Sequence, residues 1–307
     1  MNNKYPIEGT SNRHPEQNQG AYLDASYWPN FQETINSFKQ TLVDHVSQKK
    51  YYSVLRVGHS EFAAFYIIDR NRGRDAFTIR HSRSGVISKK ARQDMFESIT
   101  KTTSLSTQIG YDFQANMANI ICITDKNKQH AQSKKHLPLH KLITLPLDII
   151  YGLVANKWFF QTFKNRIGLI GAEQKLTTIK KLMEYREYQE YLGTDRFTDY
   201  IPIPQRGAFD DDSLTERVTA AVSRSSCDIF LIGAGVSKLR FFHALEDAKS
   251  CVFIDVGHGI CMISGHGDNT RPYCGEWVNY KLPSTEKISE IDVLGSQRTP
   301  VINLGGA

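Results

Sequence analysis

The second half of the chain alternates between short apolar runs and segments with an apolar stripe at helical spacing. In three runs, "RIGLIG" from Arg166, "CDIFLIG" from Cys227 and "CVFIDVG" from Cys251, the apolar residues are continuous rather than alternating, which is typical of strands covered on both faces. One of the segments between them carries Leu176 and Ile179 on a single helical face. Strands that alternate with amphipathic helices predict right-handed βαβ crossovers, and so an α/β fold with a Rossmann-like, doubly wound, mostly parallel sheet.

The first half has the same kinds of element with less regularity. "FQETINSFKQTLVDHV", residues 31–46, has apolar residues at helical spacing and predicts a helix. A strand is expected at 52–57. An arginine-rich region, 70–83, follows, and then a helix over 89–100 and a strand at 119–125 are expected. A shorter run, "DYIPIP" from Asp199, also has the pattern of a strand.

The pattern divides the chain into three parts. Residues 1–25 lack apolar periodicity and are expected to be a mobile N-terminal tail. Residues 26–265 contain the predicted elements and form the expected domain. Residues 266–307 are polar and glycine-rich, and are expected to be an extended C-terminal segment.

Composition and charge bear on the class of ligand and on the state of the cysteines. The formal charge is +6, from 38 basic and 32 acidic residues, and no nucleic-acid-binding motif accompanies it. Basic residues cluster in the arginine-rich region and in the loop from Lys126, a pattern that suits phosphates, lipid head groups or another anionic ligand, although a solvated basic face explains it as well. The five cysteines have no metal-binding spacing. Together with the lack of a visible targeting segment, they predict free thiols in a cytoplasmic protein.

The longest apolar stretch runs over 142–163 and is interrupted by Asp148 and Lys157. These interruptions favour a buried or interface helix beginning near Pro146 over a membrane span. A peripheral membrane contact through the aromatic residues Trp158 and Phe159 stays open as the alternative, and Phe160 would join it.

Glycine-containing motifs follow four of the predicted strands. They are "RVGHSE" from Arg56, "IGAEQK" from Ile170, "IGAGVSK" from Ile232 and "DVGHG" from Asp255. In open α/β sheets ligands bind outside the carboxyl ends of the strands. Glycine lets a ligand approach the backbone closely, and a following helix offers free N–H groups to phosphate. The four motifs therefore predict one shared binding rim.

The motif "GAGVSK" partly matches the dinucleotide-binding fingerprint. Gly233 and Gly235 occupy the places of its first two glycines, and Asp255 lies 20 residues after Gly235, where a ribose-binding acid is expected. Lys238 stands in place of the third glycine, which weakens the match for NAD or FAD. The motif still suits a phosphorylated or nucleotide ligand, with Ser237 and Lys238 adding a hydroxyl and a cation. A tight turn with Asp255 as a loop acid is the alternative.

The other polar residues of these motifs have two explanations each. His258 is either a hydrogen-bonding loop histidine or a ligand contact. Glu173 and Lys175 are either solvated residues at a helix N-terminus, where Glu173 is favourable, or they touch the ligand.

In this order the four motifs resemble those of the GT-D fold glycosyltransferases, a family first described as a domain of unknown function. The family's first motif is of the type Arg-Phe-Gly-Asp-Gly-Glu, which stands here as "LRVGHSE". The motifs "IGLIGAEQK", "FLIGAGVSK" and "FIDVGHG" are similar to the later ones. The similarity covers roughly residues 28–265.

The resemblance implies a Rossmann-like sheet of GT-D type that moves a sugar from a nucleotide-diphosphate sugar, most simply a UDP-sugar, to a glycan or glycosylated acceptor. It places Glu61 and His59 as catalytic residues and as ligands of a divalent cation, Mn²⁺ or Mg²⁺. His59 stands where the family has Asp, and because Asp prefers these hard ions, metal dependence stays open. The donor-binding set that it implies is Arg56, Gly58, Gly171, Glu173, Lys175, Gly233, Gly235, Ser237, Asp255 and His258.

In this interpretation Arg56 offsets the diphosphate charge, provided that it does not lie too deep in its strand. Two other functions remain open: a nucleotide-sugar-binding module without transfer activity, and an enzyme dependent on NAD or S-adenosylmethionine. Nucleic acid is not expected as a partner, and a homodimer is left open.

Overall fold

The computed structural model describes residues 31–57, 87–101, 104–107, 143–146, 150, 157–204 and 208–264. The strands are β1 (Tyr52–Val57), β2 (Ser104–Thr107), β3 (Ile143–Pro146), β4 (Ile167–Ala172), β5 (Asp199–Ile203), β6 (Ile229–Gly233) and β7 (Val252–Asp255). The α-helices are α1 (Phe31–Ser47), α2 (Lys89–Lys101), α3 (Lys157–Thr162), α4 (Glu173–Leu182), α5 (Arg186–Leu192), α6 (Leu214–Arg224), α7 (Lys238–Phe241), α8 (Leu245–Ala248) and α9 (Gly259–Ile263). Single 3-10 turns cover Gly235–Ser237 and Phe242–Ala244.

The described strands form one seven-stranded sheet in the order β3-β2-β1-β7-β6-β4-β5. Every pairing between them is parallel. The first strand along the chain, β1, lies near the middle of the described sheet, and β2 and β3 follow it outward on one side. The chain then crosses to β4 and β5 and returns inward through β6 to β7, which pairs with β1.

Alternate residues of the inner strands enter two separate apolar cores, because successive side chains of a strand point to opposite faces. In β6, Leu231 belongs to one core and Phe230 to the other. The first core also receives α1, α3, α4, α5 and α9, and the second receives α2, α6 and α7. Helices therefore cover both faces, and the expected Rossmann-like, doubly wound parallel α/β fold is confirmed.

The helix α1 illustrates how the sequence pattern becomes packing. Phe38, Leu42 and Val46 lie one helical turn apart and are all buried in the first core. At about 1.5–3 kcal/mol for each large apolar side chain removed from water, this stripe alone stabilises the docking of α1 by several kcal/mol.

Most predicted elements are found where the sequence placed them. The helices over 31–46 and 89–100 correspond to α1 and α2, and the predicted strands correspond to β1, β4, β5, β6 and β7. The predicted strand at 119–125, the N-terminal tail and the C-terminal segment lie outside the described residues.

The apolar stretch over 142–163 requires a correction at its start, because Ile143–Pro146 is the strand β3 rather than the approach to a helix. Ile150 is helical and buried in the first core, as expected of a buried helix that begins near Pro146. The described helix α3 begins at Lys157. The short strand β2, "SLST", was not predicted because four residues rich in serine and threonine give no apolar run. Phe159 and Phe160 of α3 are buried in the first core, which leaves them unable to reach a membrane surface.

Candidate functional site

Four neighbouring strands, β1, β7, β6 and β4, end side by side at one edge of the sheet. Their last residues are Val57, Asp255, Gly233 and Ala172, so the glycine-containing motifs predicted from the sequence begin along a single rim. Of the first motif, Arg56 and Val57 are described, whereas Gly58, His59 and Glu61 lie outside the described residues.

The carboxylate of Asp255 lies at the centre of this rim and is fully buried. Its Oδ2 is 2.5 Å from Nζ of Lys238, whose side chain is also fully buried. The same oxygen accepts a hydrogen bond from the backbone N–H of Arg56 at 2.9 Å, and Oδ1 accepts one from Gly257 at 3.0 Å. One carboxylate thus joins the end of β1, the helix after β6 and the turn after β7.

This position changes the interpretation of two predicted site residues. Asp255 faces three donors of the protein itself, so binding a ribose hydroxyl would require it to give up at least one of them. Lys238 directs its ammonium group to this carboxylate and not outward to a phosphate. Asp255 and Lys238 therefore form part of the buried structure of the rim.

Arg56 reaches the rim across Gly257. A Cβ atom added to Gly257 would lie 2.2 Å from Nη2 of Arg56, so the guanidinium rests directly against the backbone of this residue. Gly257 has φ +46°, a left-handed conformation that glycine adopts without strain. Arg56 as a whole is partly exposed, whereas its Nε atom is buried.

The two glycines of the turn after β6 serve different purposes. A Cβ at Gly233 would lie 2.2 Å from Cγ1 of Ile260, so Gly233 is required for α9 to pack against β6. Gly235 has φ +53°, is exposed, and a Cβ there would meet no atom within 4 Å. Gly235 therefore presents its backbone to open space beside the rim. Ser237 is buried, and its backbone N–H donates to the carbonyl of Ala234 within the turn.

The motif after β4 is divided between the core and the surface. Gly171 is buried beside β6, where an added Cβ would lie 3.3 Å from the carbonyl oxygen of Gly233. Glu173 is exposed at the first position of α4, where the helix dipole favours a negative charge. Lys175 is partly exposed and turns toward α9, with its Nζ 2.8 Å from Sγ of Cys261.

His258 follows Gly257 and precedes α9. Its backbone carbonyl accepts hydrogen bonds from the N–H groups of Cys261 at 2.8 Å and Met262 at 3.2 Å, so it fixes the first turn of that helix. The residue is partly exposed at the same rim as Arg56.

A second buried ion pair joins Arg240 and Asp94, and the sequence did not indicate it. The fully buried Arg240 donates to Oδ2 of Asp94 at 3.0 Å and to the carbonyl of Ala208 at 2.8 Å. Asp94 lies on α2, so this contact ties the helix that follows the arginine-rich region to the helix that follows the glycine turn. The available signal was an arginine inside the otherwise apolar segment "LRFF".

The described part of the chain contains no group of three His, Cys, Asp or Glu side chains placed to hold a metal ion. In the same residues no helix combines the length and the apolar character needed to cross a bilayer.

The fold and the rim define a Rossmann-like α/β protein with a candidate site at the carboxyl ends of its central strands. The chain matches no protein-family model, and no curated protein matches its sequence.

Proposed function

We propose that the protein is a glycosyltransferase that transfers a sugar from a nucleotide-diphosphate sugar, a UDP-sugar in the simplest case, to a glycan or glycosylated acceptor. The observation that carries the proposal is the shared rim. Arg56 is partly exposed and its guanidinium rests on Gly257, and the open backbone turn at Gly235 follows β6, two strands away from β1 in the sheet. A cation beside exposed backbone at the ends of parallel strands is suited to a diphosphate.

The chemistry assigns each part of the rim a task. The bond from the anomeric carbon to the diphosphate oxygen breaks while the acceptor hydroxyl forms a new bond to that carbon. Arg56 offsets the negative charge that develops on the departing diphosphate. The hydroxyl proton passes to Glu61 or His59, the residues that the family resemblance places next to β1.

The divalent cation that the resemblance implies has a weaker basis here. Its expected ligands, His59 and Glu61, lie outside the described residues. The buried rim carboxylate of Asp255 is committed to Lys238. We therefore assign no step to a metal ion, and we treat metal dependence as a question for experiment.

The position of Asp255 also argues against NAD binding through the dinucleotide fingerprint. The fingerprint role of this acid is to bind the ribose, and here the acid is fully buried between Lys238 and two backbone N–H groups. A binding module without transfer activity would use the same rim, and a product assay separates it from the enzyme.

A thermal-shift panel with UDP, GDP, CDP, NAD and S-adenosylmethionine, each with and without Mn²⁺ or Mg²⁺, tests the ligand class. A ligand at a hundred times its dissociation constant adds about 2.7 kcal/mol to the free energy of unfolding. We expect a nucleoside diphosphate to raise the melting temperature. Stabilisation by NAD or S-adenosylmethionine and by no nucleoside diphosphate would contradict the proposal.

Two variants locate the site and the chemistry. Arg56→Met should abolish the nucleotide-induced shift, whereas Arg166→Met, at the opposite end of β4 in a surface pair with Asp228, should leave it unchanged. Glu61→Gln should retain nucleotide binding and lose transfer of sugar from a UDP-sugar. Full transfer activity in Glu61→Gln would remove this residue from the mechanism.

A further inference from the structure

Lys175 and Cys261 bring a primary amine and a thiol together from two different helices. Nζ of Lys175 on α4 is 2.8 Å from Sγ of Cys261 on α9, although the residues are 86 positions apart in the chain. Ordinary N–H···O hydrogen bonds are about 2.9–3.0 Å long, and sulfur is larger than oxygen, so this contact is close. The two reactive atoms are near enough to be joined by a covalent bond after a small shift.

The other described thiols have no comparable neighbour in contact. Burial raises the pKa of Cys227 to about 11 and that of Cys251 to about 12. Both therefore stay protonated near neutral pH, and a protonated thiol reacts slowly with peroxide. Cys261 differs because the side-chain nitrogen of Lys175 touches its sulfur.

The geometry points to an oxidant-dependent covalent cross-link between Nζ of Lys175 and Sγ of Cys261. In the first step the Cys261 thiolate attacks hydrogen peroxide and the O–O bond breaks. The departing hydroxide takes a proton from the Lys175 ammonium, which leaves a sulfenic acid, a neutral amine and water.

In the second step the amine attacks the sulfur of the sulfenic acid. An S–N bond forms, the S–O bond breaks, and the hydroxide leaves with a proton from the nitrogen as a second water molecule. The thiol and the amine are thereby oxidised to a sulfenamide by two electrons, and peroxide is reduced to water. Lys175 is partly exposed, so a small oxidant can reach the pair along its side chain.

The cross-link would join the helices that follow β4 and β7, which both start at the candidate rim. It requires no nucleotide and no transfer reaction, so it can be tested independently of the proposed function. Because it closes a long loop of the chain, we expect the oxidised protein to melt at a higher temperature than the reduced protein.

The experiment treats the reduced, full-length protein with hydrogen peroxide, blocks the remaining thiols, and digests it with trypsin. The expected product is the peptide 167–180, uncleaved at Lys175, joined to the peptide 250–281 with the loss of two hydrogen atoms; trypsin does not cleave between Arg271 and Pro272. Fragmentation in the mass spectrometer must place the bond at Cys261, because the second peptide also contains Cys251 and Cys274. A thiol reductant should release the two peptides.

Matched variants separate this bond from general oxidation. Lys175→Arg keeps the positive charge but lacks the primary amine, so it should give no cross-link. Cys251→Ser should still give the link. Failure of the wild-type protein to form the joined peptide, or a bond placed at Cys251 or Cys274, would overturn the inference.

Discussion

The short helix α7 carries two buried cations that are held in different ways. Lys238 pairs with Asp255 on the sheet, and both side chains are fully buried. Arg240 pairs with Asp94 on α2, and the side chain of Asp94 is 10% exposed to solvent. Arg240 also donates to the carbonyl of Ala208 and lies 3.6 Å from the exposed carboxylate of Asp212.

The difference shows two ways of placing charge inside a protein. Lysine is a point charge, and the ammonium group of Lys238 pairs with a carboxylate that two backbone N–H groups also hold. Arginine is a planar fork that can distribute its hydrogen bonds over several acceptors. We therefore expect the loss of one partner to destabilise the protein more in the Lys238–Asp255 pair, called the rim pair below, than in the Arg240–Asp94 pair.

The largest expected effect comes from Lys238→Met. The substitution leaves the Asp255 carboxylate buried with its two backbone donors and without its cation. Removing one partner of a buried ion pair costs about 3–5 kcal/mol, and urea unfolding followed by circular dichroism would measure the loss.

The double variant Lys238→Met, Asp255→Asn serves as the control for that result. It removes both charges and should recover part of the lost stability, because no uncompensated buried charge remains. If Lys238→Met alone cost less than about 1 kcal/mol, the rim pair would not hold the site together.

Asp94→Asn should have a smaller effect, about 1–3 kcal/mol in the same urea experiment. The asparagine still offers an oxygen, Arg240 keeps the Ala208 carbonyl, and the partial exposure of Asp94 gives water access. If Asp94→Asn lowered the free energy of unfolding as much as Lys238→Met does, the additional acceptors of Arg240 would not compensate for the lost carboxylate. The proposed difference between the two pairs would then be wrong.

The smallest effects are expected for alanine at Gly235 and Gly257, the two left-handed glycines beside the rim. Gly235→Ala and Gly257→Ala both pay for a side chain at positive φ, roughly 1–2 kcal/mol each. Gly257→Ala must in addition displace the Arg56 guanidinium, whereas Gly235→Ala meets open space. Unfolding free energies should therefore rank Gly257→Ala as the more destabilising change, and the reverse order would mean that Arg56 moves aside freely.

The sequence predicted the strands that bury both faces, because their apolar runs are visible without knowledge of the neighbours. It missed β2 and it assigned β3 to the approach of a helix, because four-residue strands are specified mainly by the strands beside them. The glycine motifs and the rim were predictable, since parallel strands end on the same edge.

The roles of individual rim residues were not predictable in the same way. Asp255 looked like a ribose-binding acid by spacing, but one of its donors comes from Arg56, 199 positions away in the chain. The same holds for Lys175 and Cys261, which meet because α4 and α9 pack together. Contacts of this kind depend on the folded topology and leave no local signal.

The two outermost described strands each contain a proline, Pro146 at the end of β3 and Pro202 inside β5. A proline has no N–H group to offer to a further strand, and natural sheets use this residue to prevent edge-to-edge aggregation. At these two described strands, a second copy of the chain would therefore gain little by extending the sheet. If the protein self-associates, we expect its helical surfaces to form the contact and its solutions to resist fibril growth.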